Sequence, residues 1–255
     1  DEVDSTQAEL RRRLATDWHV RWVVRSARQK AGRGRRGRPW GSPEGGLWCS
    51  LSLLHGEIAD PFCGMLLALA ARNAVADSLG SEGRSLALKW PNDLVIGEAK
   101  WGGILAEVER DPKGRPIVLL GLGLNLAIDG GQLAGDAEIP PRATSILAQF
   151  GRSPSPQEAL SRILVHLDTL LEEDSAPGGR NRTRLRVAEV LDTLGRSIRW
   201  NDDRGEELTG EAVGLAPDGG LEVRVFDGCV DRSSRRDVLR SAEVTHLRPA
   251  EEERS

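Results

Sequence analysis

A chain of 255 residues with 39% hydrophobic and 29% charged residues can bury one large core, alone or with a small second domain, and is neither disordered nor fibrous in composition. The net charge of −4 is unevenly spread: residues 25–43 hold seven basic residues and no acidic one, leaving the remainder at about −11. Cys49, Cys63 and Cys229 lie far apart without a CxxC, which argues against a disulfide framework or zinc site, and no apolar run approaches the roughly 18–20 residues of a membrane span.

No charged-then-apolar leader precedes the first helical pattern, so a reducing cytoplasm is the expected home. Met65 is the only methionine, so further sequence is expected upstream of residue 1. Asp4, Ser5 and Thr6 offer N-caps ahead of Ala8, Leu10 and Leu14, which fall near helical spacing to about residue 15. Val20, Trp22 and Val24 then alternate with Arg21, Val23 and Arg25, the period of a strand. That strand runs into the stretch QKAGRGRRGRPW at residues 29–40. Its glycines let backbone amides approach a ligand, and its arginines are planar, permanently charged donors suited to phosphate or carboxylate. Leu47, Cys49, Leu51 and Leu53 share one face of a second strand.

Asp60 and Pro61 form a helix start, followed by a stripe of Phe62, Met65, Leu66, Leu69, Ala70 and Ala74 that predicts the main core helix, ending near Gly80. Residues 85–90 predict a strand stopped by Pro91-Asn92-Asp93. Hairpins follow, 94–96 with 100–109, then a turn at 111–114 into a strand over 117–127 carrying Gly121, Gly123 and Asn125. Residues 128–142 predict a surface loop. Two helices are expected, from Ser155-Pro156 to about Glu173 and, after a Gly-rich break at 175–179, to about Leu194. From Gly195 the texture turns to short alternating strands with turns at Asp202-Asp203, 217–220 and Asp227-Gly228, ahead of a charged tail. The expected domains are therefore 1–194, 195–248 and a tail, 249–255.

Taken singly, the hydroxyls at 4–6, the Arg/Gly loop, KWPND at 89–93 and KWGG at 100–103 are weak signals; a strand lysine is usually a solvated face. In their order they are specific. GRGRRGRPW (32–40), KWPNDL (89–94), KWGGIL (100–105), GLGLN (121–125) and ATSI (143–146) resemble the biotin protein ligases, over residues 1 to about 248. The resemblance implies an α+β fold: a mixed sheet flanked by helices, class II synthetase-like, as in the biotin/lipoate ligase catalytic domain, plus a small C-terminal SH3-like β-barrel. It implies a biotin--[biotin carboxyl-carrier protein] ligase that uses ATP and Mg²⁺, activates its substrate biotin as biotinyl-5'-AMP, and passes it to a lysine of the carrier domain of acetyl-CoA carboxylase or a related enzyme. It also allows a homodimer, and no nucleic-acid or membrane partner is expected.

By motif position, Ser5, Thr6, Gln7, Gln29, Arg33, Gly34, Arg35 and Lys100 resemble biotin-binding residues. Arg33, Arg36, Arg38, Trp40, Lys89, Asn92 and Asn125 resemble ATP or adenylate contacts. Lys100, Arg35 and Asp93 are the implied catalytic residues, with Asp93 a ligand for Mg²⁺. Two anions meeting head-on need positive charge, and the arginines and Lys100 supply it. The loop is expected to be mobile without ligand, since its glycines and like charges leave little to hold it closed. Three departures from the family pattern stand out: Gln7 where asparagine is usual, Lys30 where a small polar residue is common, and bulky Trp101 beside Lys100. They are expected to tune affinity or access. The upstream helix-turn-helix of some relatives has no counterpart in these residues. The rivals are a lipoate or octanoate ligase or transferase, and a nucleic-acid-binding module built on the Arg/Gly loop. His19, His55, His166 and His246 have no metal-ligand spacing.

Overall fold

The computed structural model describes residues 2–54, 62–129, 142–202, 204–226, 235–240, 242 and 244–247. The expected cap at Asp60-Pro61, most of the 128–142 loop, the turn at Asp227-Gly228 and the charged tail lie outside them. The first half of the chain runs β1 (Glu2–Val3), α1 (Thr6–Thr16), β2 (Val23–Ser26), β3 (Arg28–Gln29), β4 (Leu47–Leu53) and α2 (Phe62–Leu79). Then follow β5 (Leu86–Lys89), β6 (Asp93–Ile96), β7 (Ala99–Arg110), β8 (Pro116–Leu124), α3 (Ile146–Phe150), α4 (Pro156–Ser175) and α5 (Gly179–Glu189). Strands β2-β4-β8-β7-β6-β5, in that spatial order, form one sheet. Every ladder in it is antiparallel. Among the described residues, the mixed character expected from the sequence is met in the two-residue parallel ladder of β1 with β3 and in the parallel bridges Leu88–Leu191 on β5 and Lys100–Ala143 on β7. Short hairpin connections from β5 to β8 account for the antiparallel ladders, since parallel neighbours need long crossovers.

The period of two along each strand divides the sheet into two faces. On β8, Val118, Leu120, Leu122 and Leu124 join the main core with Leu47, Cys49, Leu51 and Leu53 of β4, whereas Ile117 and Leu119 pack with Leu10 and Leu14 of α1 in a separate cluster. Helix α2 covers the first face and is packed on by α4. It is long and apolar enough by composition to cross a membrane, yet 72% of the window is buried inside the fold. A helix apolar all round is what a position between sheet and helices requires. The second face carries α1 and, beside it, an open hollow.

Strands β9 (Ser197–Asn201), β10 (Glu207–Leu215), β11 (Leu221–Val225), β12 (Arg236–Leu239) and β13 (Thr245–His246) make the C-terminal sheet, ordered β12-β11-β10-β9-β13. Among the described residues no ladder closes it, so the expected small barrel is an open five-stranded sheet. Its Ile198, Trp200, Leu221 and Val223 share one apolar cluster with α2. The β10–β11 turn is seated on the first half: the indole of Trp90 donates to Gly219 O at 2.9 Å, and Arg180 donates to Pro217 O at 3.0 Å.

Several boundaries move for local reasons. The first large strand starts at Val23, because the Trp22 N–H goes to the Ser52 hydroxyl. A 3-10 turn over Gly80–Ser85 takes the start expected for β5. The last helix stops at Glu189, short of Leu194: Leu88 donates its N–H to Val190 O and accepts one from Asp192, so this segment pairs with β5. Helix α3, five residues capped by Ser145 and ended by Gly151 at φ +66°, is too short to leave a periodic signal.

Candidate active site

The hollow is a cavity of about 310 Å³ whose floor is the second face of β7 and β8. Gly103 and Gly123 are direct cross-strand partners in its floor. A Cβ on Gly123 would lie 2.7 Å from the Trp40 indole nitrogen, and one on Gly103 would lie 3.4 Å from the same ring. These two glycines make a flat seat on which Trp40 rests. Gly121, two residues earlier, makes the same kind of room for Gln7, whose Oε1 would stand 3.0 Å from an added Cβ.

One end of the cavity is uncharged and fastened by hydrogen bonds. Ser5 is the N-cap of α1 but makes no side-chain cap bond, so its hydroxyl is left to the cavity wall. Gln29 Oε1 accepts from the Thr6 N–H at 2.8 Å and the Thr6 hydroxyl at 3.1 Å, while its Nε2 donates to Ser42 at 2.8 Å. Thr6 also meets Ser50 of β4 at 2.9 Å. Gln29 thereby ties the start of α1 to the exit of the basic loop. Burial pushes the Cys49 thiol up to about 12, so this cavity-lining cysteine is no nucleophile at neutral pH.

The other end is cationic. Arg33, Arg35, Arg38, Lys89 and Lys100 line it, and among the described residues Asp93 is the one carboxylate that does. Lys100 Nζ sits 2.5 Å from Asp93 Oδ1 and 4.9 Å from the Trp40 ring centroid. Arg35 donates to Asn92 Oδ1 at 3.3 Å, and Asn92 donates to Ile104 O at 2.7 Å, so a strand carbonyl orients the amide that orients the arginine. Burial, then the charges of Arg36 and Arg38, lower the Arg35 pKa against the pull of Asp93. A guanidinium does not deprotonate in water, so that direction marks a place short of negative charge.

The basic loop is tied by its own backbone. Arg33 and Pro39 form a bridge, Gly34 N–H donates to Arg38 O at 2.8 Å, and Trp40 N–H donates to Gly32 O at 2.9 Å. The Trp40 seat and the Arg35–Asn92 bond add to these ties. Lys30 turns outward to Glu2 at 3.1 Å and adds no charge to the cavity. Trp101 is fully buried in the main core and does not touch the cavity.

Of the residues singled out from the sequence, Ser5, Thr6, Gln7, Gln29, Arg33, Gly34, Arg35, Arg38, Trp40, Lys89, Asn92, Asp93 and Lys100 line this one cavity. Arg36 and Asn125 do not line it. Arg36 is exposed at φ +57° on the loop's outer turn. Asn125 is buried, and its amide donates to Thr144 O at 2.9 Å, joining the end of β8 to α3. Ser50, Cys49, Val244 and Thr245 line the cavity without having been singled out as site residues. The strand alternation placed Ser50 on the face opposite Leu51; no local pattern marks Val244 or Thr245.

With this geometry in place, comparisons with known proteins are specific. Residues 2–125 match the Biotin/lipoate A/B protein ligase family. A Biotin--[acetyl-CoA-carboxylase] ligase of Mycobacterium tuberculosis is 30% identical, the alignment covering 97% of this chain and 87% of that protein. Among solved structures, a biotin protein ligase from Aquifex aeolicus in complex with biotin and ATP superposes with a TM-score of 0.76 at 26% identity, covering 98% of this chain and 97% of that one. The biotin protein ligase of Leishmania major in complex with biotinyl-5-AMP superposes with a TM-score of 0.60 at 28% identity, over 94% and 96% of the two chains.

Proposed function

The chain belongs to the Biotin/lipoate A/B protein ligase family, and on that premise we propose that it is an ATP-dependent biotin ligase, making biotinyl-5'-AMP and passing the biotinyl group to a lysine of a biotin carboxyl carrier protein. The observation that carries this reading is that one cavity is lined both by a hydrogen-bonded, uncharged group, Ser5, Thr6, Gln29 and Ser50, and by five cations, with Lys100, Asp93, Arg35 and Asn92 gathered around Trp40 and β6. Biotin has the same division, a polar uncharged ring at one end and a carboxylate at the other.

A carboxylate is already ionised at neutral pH, so its attack on the α-phosphate of ATP needs no general base. The obstacle is repulsion between two anions, and fixed positive charge is what lowers it. Lys100, held between Asp93 and the Trp40 ring, stands where carboxylate and phosphate would meet; Arg35 is aimed by Asn92. Arg33, Arg38 and Lys89 take the phosphates. Charge that grows on the phosphorus oxygens as pyrophosphate leaves is stabilised more than the ground state, which is the condition for a rate effect. Trp40, on its glycine seat, closes the anhydride from water. Aminolysis by the carrier lysine then forms the amide and releases AMP.

No group of three His, Cys, Asp or Glu side chains capable of holding a metal occurs among the described residues. A lone carboxylate still suits Mg²⁺ bound mainly through ATP, since that ion keeps water and phosphate oxygens in its shell and takes one or two protein carboxylates. Asp93, with Oδ1 engaged by Lys100, would lend its second oxygen, and the ion would screen the phosphate charge. Val244 and Thr245 bring the C-terminal sheet to the cavity, which gives the 195–248 region a share in closing it or in receiving the carrier. Acetyl-CoA carboxylase is the carrier enzyme favoured by the mycobacterial relative's name.

The test is ATP–pyrophosphate exchange with Mg²⁺. Exchange is expected to depend on biotin and to be followed by labelling of a carrier lysine. Exchange that answers only to lipoate would move the chain to the other activity named in its family.

A further inference from the structure

Gln7 is 5% exposed, lines the cavity, and carries a buried side-chain oxygen with no hydrogen-bond partner among the described residues. Its nitrogen is fully committed. Nε2 donates to Glu107 Oε2 at 2.9 Å and to Leu119 O at 3.4 Å, both of them acceptors. Turning the amide over would set Oε1 against a carboxylate and a carbonyl, so the network fixes its orientation. Glu107 is itself held. Arg11, one helical turn after Gln7 on α1, donates Nη2 to Glu107 at 2.7 Å and Nε to Glu109 at 2.8 Å. The pair Gln7 and Arg11 on the helix therefore meets Glu107 and Glu109, alternate residues on one face of β7.

We infer that Glu107, anchored by Arg11, is a positioning residue that locks the Gln7 amide so that the site offers an acceptor and selects a ligand ring carrying an N–H donor. The inference rests on the biotin reading and deepens it: a cyclic urea satisfies the lone acceptor, and a dithiolane ring, which has no N–H, does not. A buried carbonyl that meets no donor in the complex is costly, so a ring that brings an N–H is preferred over one that does not. The bond from an amide N–H to a carboxylate is charge-assisted, which is why one acidic residue suffices to set the polarity.

The experiment compares biotin with its cyclic carbamate analogue, in which a ring oxygen replaces one N–H, by calorimetric titration of the full chain. The wild type should prefer biotin by about tenfold to a hundredfold over the carbamate regioisomer that places oxygen against Gln7, the range set by one unmatched buried acceptor. Glu107→Gln can pair with the Gln7 amide in either orientation, so the preference should fall to within about threefold. In exchange assays its KM for biotin should rise about tenfold, with kcat and the KM for ATP unchanged. Arg11→Gln, which leaves Glu107 in place but unanchored, should shift the same ratio by less, and it decides the matter if Glu107→Gln does not fold. A variant that keeps the wild-type preference, or weakens both ligands in equal proportion, overturns the positioning role. Wild type that activates biotin without discriminating against either carbamate overturns this inference alone, whereas wild type that binds no biotin overturns the proposed function and this inference with it.

Discussion

At one end of the cavity, Thr6, Gln29, Ser42 and Ser50 hold one another in a closed set of hydrogen bonds, whereas at the other five cations share the cavity with one carboxylate. Those bonds set Thr6, Gln29 and Ser50 in place, so binding beside them costs little reordering. The second end concentrates positive charge: burial, then the neighbouring Arg36 and Arg38, disfavour the Arg35 cation, and an anionic ligand would offset both. The difference separates recognition from catalysis. Damage to the satisfied end should appear in the affinity for the ring, and damage to the cationic end in the rate of adenylation.

Lys100→Ala is the strongest attempt to break that division. It removes the charge poised between Asp93 and Trp40, and adenylation should slow by roughly 10²- to 10³-fold, the scale of losing one preorganised electrostatic contact. Biotin affinity should change far less, and thermal unfolding should stay close to wild type. Single-turnover formation of the adenylate measures the first and calorimetry the second; a wild-type rate would remove Lys100 from the chemistry.

A second prediction concerns the charge next to the cationic end. His246 follows the cavity residue Thr245 and meets Thr193 at 3.2 Å. Burial, then the charges of Lys89 and Arg196, bring its imidazole down to about 4, against the opposing pull of Asp192 and Glu98. The unfolded chain titrates this group near the ordinary value of about 6.5. Between those two values the unfolded chain binds a proton that the folded one refuses, so stability is full above about 6.5 and falls as the pH drops towards 4. Solvent that reaches the half-buried ring screens part of this, so the loss from this residue is on the order of 1 kcal/mol. Denaturant titrations across that range should show His246→Gln with a shallower decline; equal slopes would place the acid sensitivity elsewhere.

Much of the cationic end was legible in the sequence, because GRGRRGR and KWPND each put several charged residues within a few positions, and the motif order supplied the rest. The uncharged end was legible in part. Ser5, Thr6, Gln7 and Gln29 fell in matching positions, but nothing local says that Gln29 spends its amide on Thr6 and Ser42, a closure over thirteen and twenty-three residues. Val244 and Thr245 reach the cavity through the β13–β9 pairing at the far edge of the second sheet, a contact with no period to announce it. Arg36 and Asn125 mark the opposite limit. Their motifs are present, yet neither side chain lines the cavity: Arg36 lies on the outward turn of the loop, and the Asn125 amide nitrogen donates to Thr144 O.

Gly123→Val tests the seat that joins the two ends. The added Cβ would lie within 2.7 Å of the Trp40 ring system, a clash that a rigid indole relieves only by leaving. The cost should be about 1–3 kcal/mol of stability, as for other overpacked sites. With Trp40 displaced, limited trypsin digestion should cut the 33–38 segment faster than in wild type, with or without ligands. Unchanged protection would show that the loop is held by its backbone bonds alone.

The smallest effect is expected at Trp101, and its smallness is what sharpens the comparison. Trp101 is adjacent to Lys100 in sequence but lies in the main core, fully buried, with an indole N–H that finds no acceptor among the described residues. Trp101→Phe removes that orphan donor, worth about 1–3 kcal/mol in the mutant's favour, and leaves a void where the second ring was, worth a similar amount against it. The two terms oppose, so the melting temperature should move by only a few degrees in either direction. Adenylation and biotin affinity should both be unchanged, because the side chain lies in the core and does not line the cavity. A large fall in rate with unaltered stability would mean that Lys100 is placed from the core side, through its neighbour, and that the cationic end is less independent of the packing beneath it than its own contacts with Asp93, Asn92 and Trp40 indicate.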